Sequence, residues 1–88
     1  MKEVEFAESA FKHGFAEEDF FELLAGKYIK LRSQRGLAGV YELFGRSLAG
    51  EYVHVIYRGL AHEKAIRVFH MSPMTQQQTR RFKRMIRK

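Results

Sequence analysis

Between Tyr28 and Met71 the chain passes through four strand-length segments joined by short, glycine-bearing connections, and this spacing restricts the fold more than any other feature. Tyr28–Arg32 alternates Tyr28, Lys30 and Arg32 with Ile29 and Leu31, and Val40–Arg46 follows. Residues 52–58 place Tyr52, His54, Ile56 and Arg58 on one side and Val53, Val55 and Tyr57 on the other. Residues 65–71 mix β-branched, aromatic and basic side chains, and Pro73, which has no ladder donor, is expected to end that strand. Gly36 and Gly39 mark a loop at 33–39, Gly50 closes a turn at 46–50, and a third turn at 59–64 carries His62. Connections this short join antiparallel neighbours.

The two ends add helices. Residues 3–7 read as a short strand in which Val4 and Phe6 alternate with glutamates. Residues 8–13 form a short helix closed by Gly14, and Lys12 and His13 sit in its last turn. In the next helix, 16–25, Glu17, Glu18 and Asp19 suit the positive end of the dipole, Phe20, Phe21, Leu23 and Leu24 make an apolar face, and Gly26 stops it. Thr75 and Gln78 form a T-x-x-Q capping box that opens a terminal helix. One face of that helix carries Gln78, Phe82, Met85 and Ile86; Arg80, Arg81, Lys83, Arg84, Arg87 and Lys88 cover most of the rest. The expected architecture is a single α+β domain over 1–88, a small twisted antiparallel sheet in the order β-α-α-β-β-β-β-α. Its helices would cover one face and leave the other partly open.

A chain of 88 residues buries only somewhat more than half of its unfolded surface, which disfavours a deep cofactor cavity. No cofactor is expected. Without cysteine there is no disulfide and no thiolate metal site. The opening MKEVEF lacks the apolar core of a leader, and no apolar run approaches the roughly 18 to 20 residues that span a bilayer, so a cytoplasmic protein without membrane contact is expected. The net charge of +6 is unevenly spread: residues 1–26 hold seven acids and two bases, whereas 64–88 hold eight bases and no acid. That polarity favours an anionic partner for the C-terminal half, with RNA, DNA, acidic lipid or an acidic protein all compatible with charge alone.

Were the anionic partner RNA, basic side chains alone could also cleave it, since cleavage without a metal requires a base for the 2′-hydroxyl, an acid for the leaving oxygen, and cations for the charge that gathers on phosphorus. The sequence has no carboxylate cluster or H-x-x-x-H pair with metal-ligand spacing, and no Walker A, G-x-S-x-G or G-x-G-x-x-G pattern. His70, at a strand end, is the first candidate for proton transfer; the alternative is a histidine packed under the terminal helix. Period-2 geometry puts Arg67 on the opposite strand face from His70 unless the strand bulges. Arg46 suits a scissile phosphate or, equally, a salt bridge to Glu42 or Glu51. Lys12 and His13 have a structural account as cations at a helix C-terminus. Arg58 shares a face with His54 and Tyr52, a surface for phosphates and unstacked bases if it is open and a core face if it is covered. Arg80, Arg81 and Arg84 form either a solvated surface or an RNA contact.

Several of these segments together resemble the BrnT family of toxins from bacterial type II toxin-antitoxin systems, relatives of the RelE-like ribonucleases. The resemblance rests on Lys12-His13-Gly14, on Phe44-Gly45-Arg46-Ser47 with Gly50-Glu51-Tyr52, and on Ile66-Arg67-Val68-Phe69-His70 running into Pro73-Met74-Thr75 and Arg80-Arg81-Phe82. The chain departs from the family pattern at Phe6-Ala7, where an aromatic-Asp pair is common, and at Met71-Ser72, where many members carry an arginine or an acid. The resemblance implies a toxin that cuts RNA and slows translation, bound and neutralised in a hetero-oligomer by a cognate BrnA-like antitoxin. It also raises Lys12 and His13 as catalytic candidates beside His70 and Arg46. The alternative from another class is a non-catalytic nucleic-acid-binding or antitoxin-interacting basic module.

Overall fold

The computed structural model describes residues 3–32, 39–60 and 65–87; most of the loop expected at 33–39, the turn residues 61–64 with His62, and Lys88 lie outside the described residues. Five strands, two α-helices and one 3-10 turn follow in the order β1 (Glu3–Phe6), the turn (Glu8–Phe11), α1 (Glu17–Ala25), β2 (Tyr28–Arg32), β3 (Val40–Arg46), β4 (Tyr52–Leu60), β5 (Ala65–Pro73) and α2 (Gln76–Ile86). They form an α+β fold around one mixed sheet with strand order β1-β5-β4-β3-β2.

The sheet is not purely antiparallel, which corrects the expectation. Strands β2 to β5 are antiparallel neighbours, as their short connections require, but β1 pairs in parallel with β5 through Glu3–Ala65 to Phe6–Val68. The segment between β1 and β2 holds the 3-10 turn and α1, long enough to cross over the sheet, so the short-connection argument does not govern β1. The helix expected at 8–13 is a single 3-10 turn. Its first residues are tied to β5, where the Ala7 amide donates to the Val68 carbonyl at 2.9 Å and Ser9 Oγ to the Phe69 carbonyl at 2.7 Å. A segment this short cannot repay helix nucleation by itself. Pro73 does not cut β5 off before it: the strand runs through Pro73, opposite Val53. As the last residue of its strand, a proline costs no interior ladder bond.

The helices lie on opposite faces, not on one. α1 is closed at its start by Asp19 Oδ2, which accepts the Ala16 amide at 2.7 Å, and packs Phe20 and Leu23 onto Leu43, Val53, Val55, Tyr57, Ile66, Val68 and Met71. These residues make the main core; Phe6 and Phe11 add stacked rings 5.7 Å apart at its edge. α2 opens with the expected capping box, in which Thr75 Oγ1 accepts the Gln78 amide at 3.1 Å and Gln78 Oε1 accepts the Thr75 amide at 3.0 Å. It crosses the other face, where buried Phe82 meets Tyr52 edge-on at 6.0 Å and joins Ile29, Leu31 and Phe44 around a small cavity. A narrow seam on α2, with Phe82 as its one buried residue, thus covers the β2–β3 part of this face and leaves the β4–β5 part uncovered by a helix. Among the described residues no helix is long and apolar enough to cross a membrane.

Gly45 sets how closely α1 approaches the sheet. A Cβ at this position would lie 2.5 Å from Leu23 Cγ and 2.9 Å from its Cδ2, and Leu23 is fully buried. Gly45→Ala is therefore expected to destabilise the fold by about 1–3 kcal/mol through overpacking. Gly26→Ala, whose Cβ meets only a carbonyl at 3.9 Å, should stay within about 0.5 kcal/mol of wild type. Urea unfolding of both variants checks this, and equal midpoints would show that α1 does not press on Gly45.

Candidate functional site

The open part of the α2-side face is organised by an irregularity in β5. Ile56 pairs with His70, but Tyr57 pairs with Val68, so Phe69 is an extra residue with no partner on β4. After this bulge Arg67 pairs with Arg58 while His70 pairs with Ile56, and Ile56 and Arg58 point to the same side. Arg67 and His70 therefore share a face, the one condition under which both can serve a single site. The Phe69 carbonyl accepts the Ser9 hydroxyl, and the 3-10 turn that carries Ser9 continues directly into Lys12 and His13. The same bond that satisfies the bulge brings His13 beside His70, with ring centroids 5.4 Å apart and planes at 68°.

A third imidazole completes the row. His54 lies 5.9 Å from His70 between ring centroids, stacks on Phe44 at 4.6 Å with 8° between planes, and bonds through Nε2 to Glu42 Oε1 at 2.8 Å. It is 9% exposed, and among the described residues this histidine and Glu42 are the one side-chain pair within ion-pairing distance. Such a carboxylate fixes the imidazole's orientation and its proton on the bonded nitrogen. His70 Nε2 in turn lies 2.9 Å from Ser72 Oγ. Glu42, Phe44 and Ser72 are thus neighbours of the histidines whose place beside them is not visible in the sequence. Sequence alone offers Glu42 as an ion-pair mate of Arg46, and the hairpin register that sets Phe44 opposite His54 and Glu42 opposite Ile56 is the signal that brings it to the row.

The remaining candidates separate into groups. Arg58 and Arg67 are exposed cross-strand partners, about 7 Å along the strands from the Ile56–His70 pair, and Glu5 of β1 continues the same register row beside Arg67, so two guanidinium groups and a carboxylate flank the histidine row. Arg81 lines the cavity beside Glu42 and Phe44, while Arg80 and Arg84 face solvent with Lys83 and Arg87. Lys12 follows the 3-10 turn, one residue before His13. Arg46 is not brought to His70. It pairs with Tyr52, four residues from Ile56, which at about 3.3 Å per residue is ~13 Å along the strands, with two strand spacings of about 4.8 Å across. Nor is it bonded to Glu42 or Glu51: Nε donates to the Gly50 carbonyl at 3.2 Å, and the guanidinium lies 5.3 Å from the Tyr52 ring centre.

No three His, Asp or Glu side chains among the described residues are arranged to hold a metal ion. The row places imidazoles at the centre with guanidinium groups beside them, groups whose chemistry suits proton transfer and anion binding. Comparison with family models, curated proteins and solved structures finds no match to this chain.

The pKa of His70 is lowered from its ordinary 6.5, first by burial, which disfavours the charged ring, and then by repulsion from His54 and His13. At neutral pH His70 is a neutral base. Below 6.5 the unfolded chain binds this proton more readily than the folded one, so acidification through the window from 6.5 down to the lowered value removes stability. Between about pH 7 and pH 5, where imidazoles titrate, wild type should lose more unfolding free energy than His70→Gln. Urea unfolding at the two limits measures this, and identical losses would remove His70 from the acid response.

Proposed function

We propose that this chain is an endoribonuclease that cuts RNA without a metal ion, in the manner of a BrnT-like toxin, acting in the cytoplasm and restrained by a BrnA-like antitoxin. The observation that carries the reading is the convergence of His13, His54 and His70 on an open sheet face with Arg58 and Arg67 in the adjoining register row. Order and spacing of the residues quoted above from Lys12 to Phe82 support the family likeness.

His70, neutral at pH 7, takes the proton of a ribose 2′-hydroxyl. The freed oxygen bonds to phosphorus, the bond from phosphorus to the 5′-oxygen breaks, and His13 as general acid supplies the proton that the departing oxygen needs. The products are a 2′,3′-cyclic phosphate and a 5′-hydroxyl. Arg58 and Arg67 offset the charge developing on the phosphoryl oxygens, and Arg81 holds the strand from the α2 side. His54, fixed by Glu42 and Phe44, keeps a third cation-capable ring beside the reacting phosphate. Lys12 adds charge next to His13.

One observation favours the non-catalytic alternative. Arg80, Arg84 and Arg87 lie on the solvent side of α2 and Lys83 reaches from there toward Tyr52, so that together they can hold a polyanion without the histidines. Incubation of the pure protein with RNA in a metal chelator separates the two readings. Cyclic-phosphate ends are expected, with His70→Ala and His13→Ala each losing about 10²-fold or more in rate while keeping the wild-type fold. Salt-sensitive retention of intact RNA with no cleavage would leave the binding module standing instead.

A further inference from the structure

The ribonuclease mechanism leaves Arg46 unused, and its surroundings are built rather than incidental. On the opposite flank of Phe82 from the histidine row, a cleft of about 450 Å³ opens between the β3–β4 turn and the C-terminal half of α2. Phe82 walls both this cleft and the cavity beside Glu42. Lys27, Arg46, Tyr52 and Ile86 line it, Leu48 stands at its edge 84% exposed, and no carboxylate of the described residues is part of the lining. Lys83 Nζ lies 5.2 Å from the Tyr52 ring centre, and the Arg46 guanidinium 5.3 Å from the same ring. Two cations share one aromatic ring, and neither has a carboxylate among the described residues within ion-pairing distance.

Arg46 is also held ready. Nε is bonded to the Gly50 carbonyl, and Gly50 adopts φ +89°, where a Cβ would approach Arg46 Nη2 to 3.3 Å. Glycine at this turn lets the arginine lie against it, with Nη2 nearest the place a Cβ would take, while the residue still lines the cleft. Ordering a long side chain beforehand removes part of the entropy that binding would otherwise cost, and a guanidinium fork fits a phosphate's paired oxygens. Lys27 and Arg46 line the cleft and Lys83 approaches it over Tyr52, while the nearby Glu22 carboxylate is engaged by the Leu48 amide at 3.1 Å. Like charges brought together in this way repel in the free chain, and a phosphate reverses the sign of that term.

We propose that the cleft between the β3–β4 turn and α2 is a second phosphate site, in which Arg46 and Lys83 grip a phosphodiester of the RNA strand several nucleotides away from the bond cut at the histidine row. This rests on the ribonuclease reading and gives its substrate a second anchor. The substrate class is accordingly single-stranded RNA long enough to run over the cationic outer side of α2 from one flank to the other. The terminal helix then acts as a bridge, with Arg81 on the histidine side and Lys83 on the Tyr52 side.

The test uses the full chain labelled with nitrogen-15 and a 2′-O-methyl oligonucleotide of about twelve residues, which lacks the attacking hydroxyl and cannot be cut. Titration should shift the amide signals of Gly50, Tyr52 and Lys83 as well as those near His54 and His70, with affinity falling steeply as salt is raised. Arg46→Gln and Lys83→Gln should each weaken binding about five- to tenfold. Lys83 is exposed, so that variant keeps the fold if Arg46→Gln disturbs the turn. Shifts confined to the histidine row, or wild-type affinity in Lys83→Gln, overturn the second site while leaving the ribonuclease reading intact. Shifts at Gly50 and Tyr52 with adenosine monophosphate but none with the oligonucleotide overturn it in favour of a free-nucleotide site. Absence of any shift at the histidines together with absence of cleavage by wild type removes the ribonuclease reading, a result the Gly50 and Tyr52 signals report separately.

Discussion

The bond from Ser9 Oγ to the Phe69 carbonyl holds the site together. A bulged strand residue loses its ladder partner, and a carbonyl left without a donor in a partly buried position is unfavourable by about 1–3 kcal/mol. Ser9 supplies that donor from sixty residues earlier in the chain. Because the bulge is satisfied, β5 can shift phase between Val68 and His70, so Arg67 below it and His70 above it both look outward to the same face. Without the extra residue, either Arg67 would face α1's core or His70 would. The 3-10 turn is therefore not a failed helix but a clasp. Its four residues have their register set by β5, and the chain leaving it places His13 against His70.

Two packing constraints then decide which parts of the sheet are free. α1 presses onto one face through Leu23, and Gly45 is the position on β3 that allows it, so the conventional core of aliphatic and aromatic residues forms there. α2 claims half of the other face with a narrow seam. Phe82 is its buried knob, with Gln78 and Ile86 partly buried on either side and Met85 more exposed. Such a seam is enough to fix a helix whose start is already capped by Thr75 and Gln78, yet too narrow to reach β5. The uncovered remainder holds the histidines. His54 can be almost buried there because both of its needs are met on the spot: Phe44 covers one ring face and Glu42 accepts from the ring nitrogen.

Local patterns in the sequence made most elements legible, and long-range pairing accounts for what was not. Alternation identified β2 to β4, the Thr75-Gln78 box located the start of α2, and the acidic run Glu17-Glu18-Asp19 located α1. Nothing local in Glu3-Val4-Glu5-Phe6 distinguishes a parallel partner from an antiparallel one, because alternation reports which face is buried and says nothing of direction. Gly14 does mark a chain reversal, at φ +86°, which gives 8–13 the look of a helix, but the residues before it answer to β5 rather than to their own propensity. In the site, His70 is legible as a histidine at a strand end, His13 as a cation in the last turn of a short helix, and Arg58 and Arg67 as separate candidates whose pairing appears only in the register. Glu42 is not legible, since its meaning depends on cross-strand neighbours that only the hairpin register supplies. The distance between Arg46 and His70 was hidden for the same reason.

Charge follows from this layering. The acids of the first third of the chain concentrate on α1, where Glu17, Glu18, Asp19 and Glu22 stand over one face of the sheet, while Arg58, Arg67 and the cations of α2 stand over the other. The sorting is incomplete, because Glu5 of β1 stands in register with Arg67, Glu42 lies beside His54 on the α2 side, and Lys30 sits over Tyr41 on the α1 side. Among the described residues the His54–Glu42 contact is the one side-chain pair within ion-pairing distance. The same layering explains why α2 tolerates Arg80, Lys83, Arg84 and Arg87 at mutual spacings of three and four, where each like-charge pair weakens an isolated helix by about 0.2–0.5 kcal/mol. Its stability comes from the cap and from Phe82, so its outer surface is free to be chosen for what it attracts.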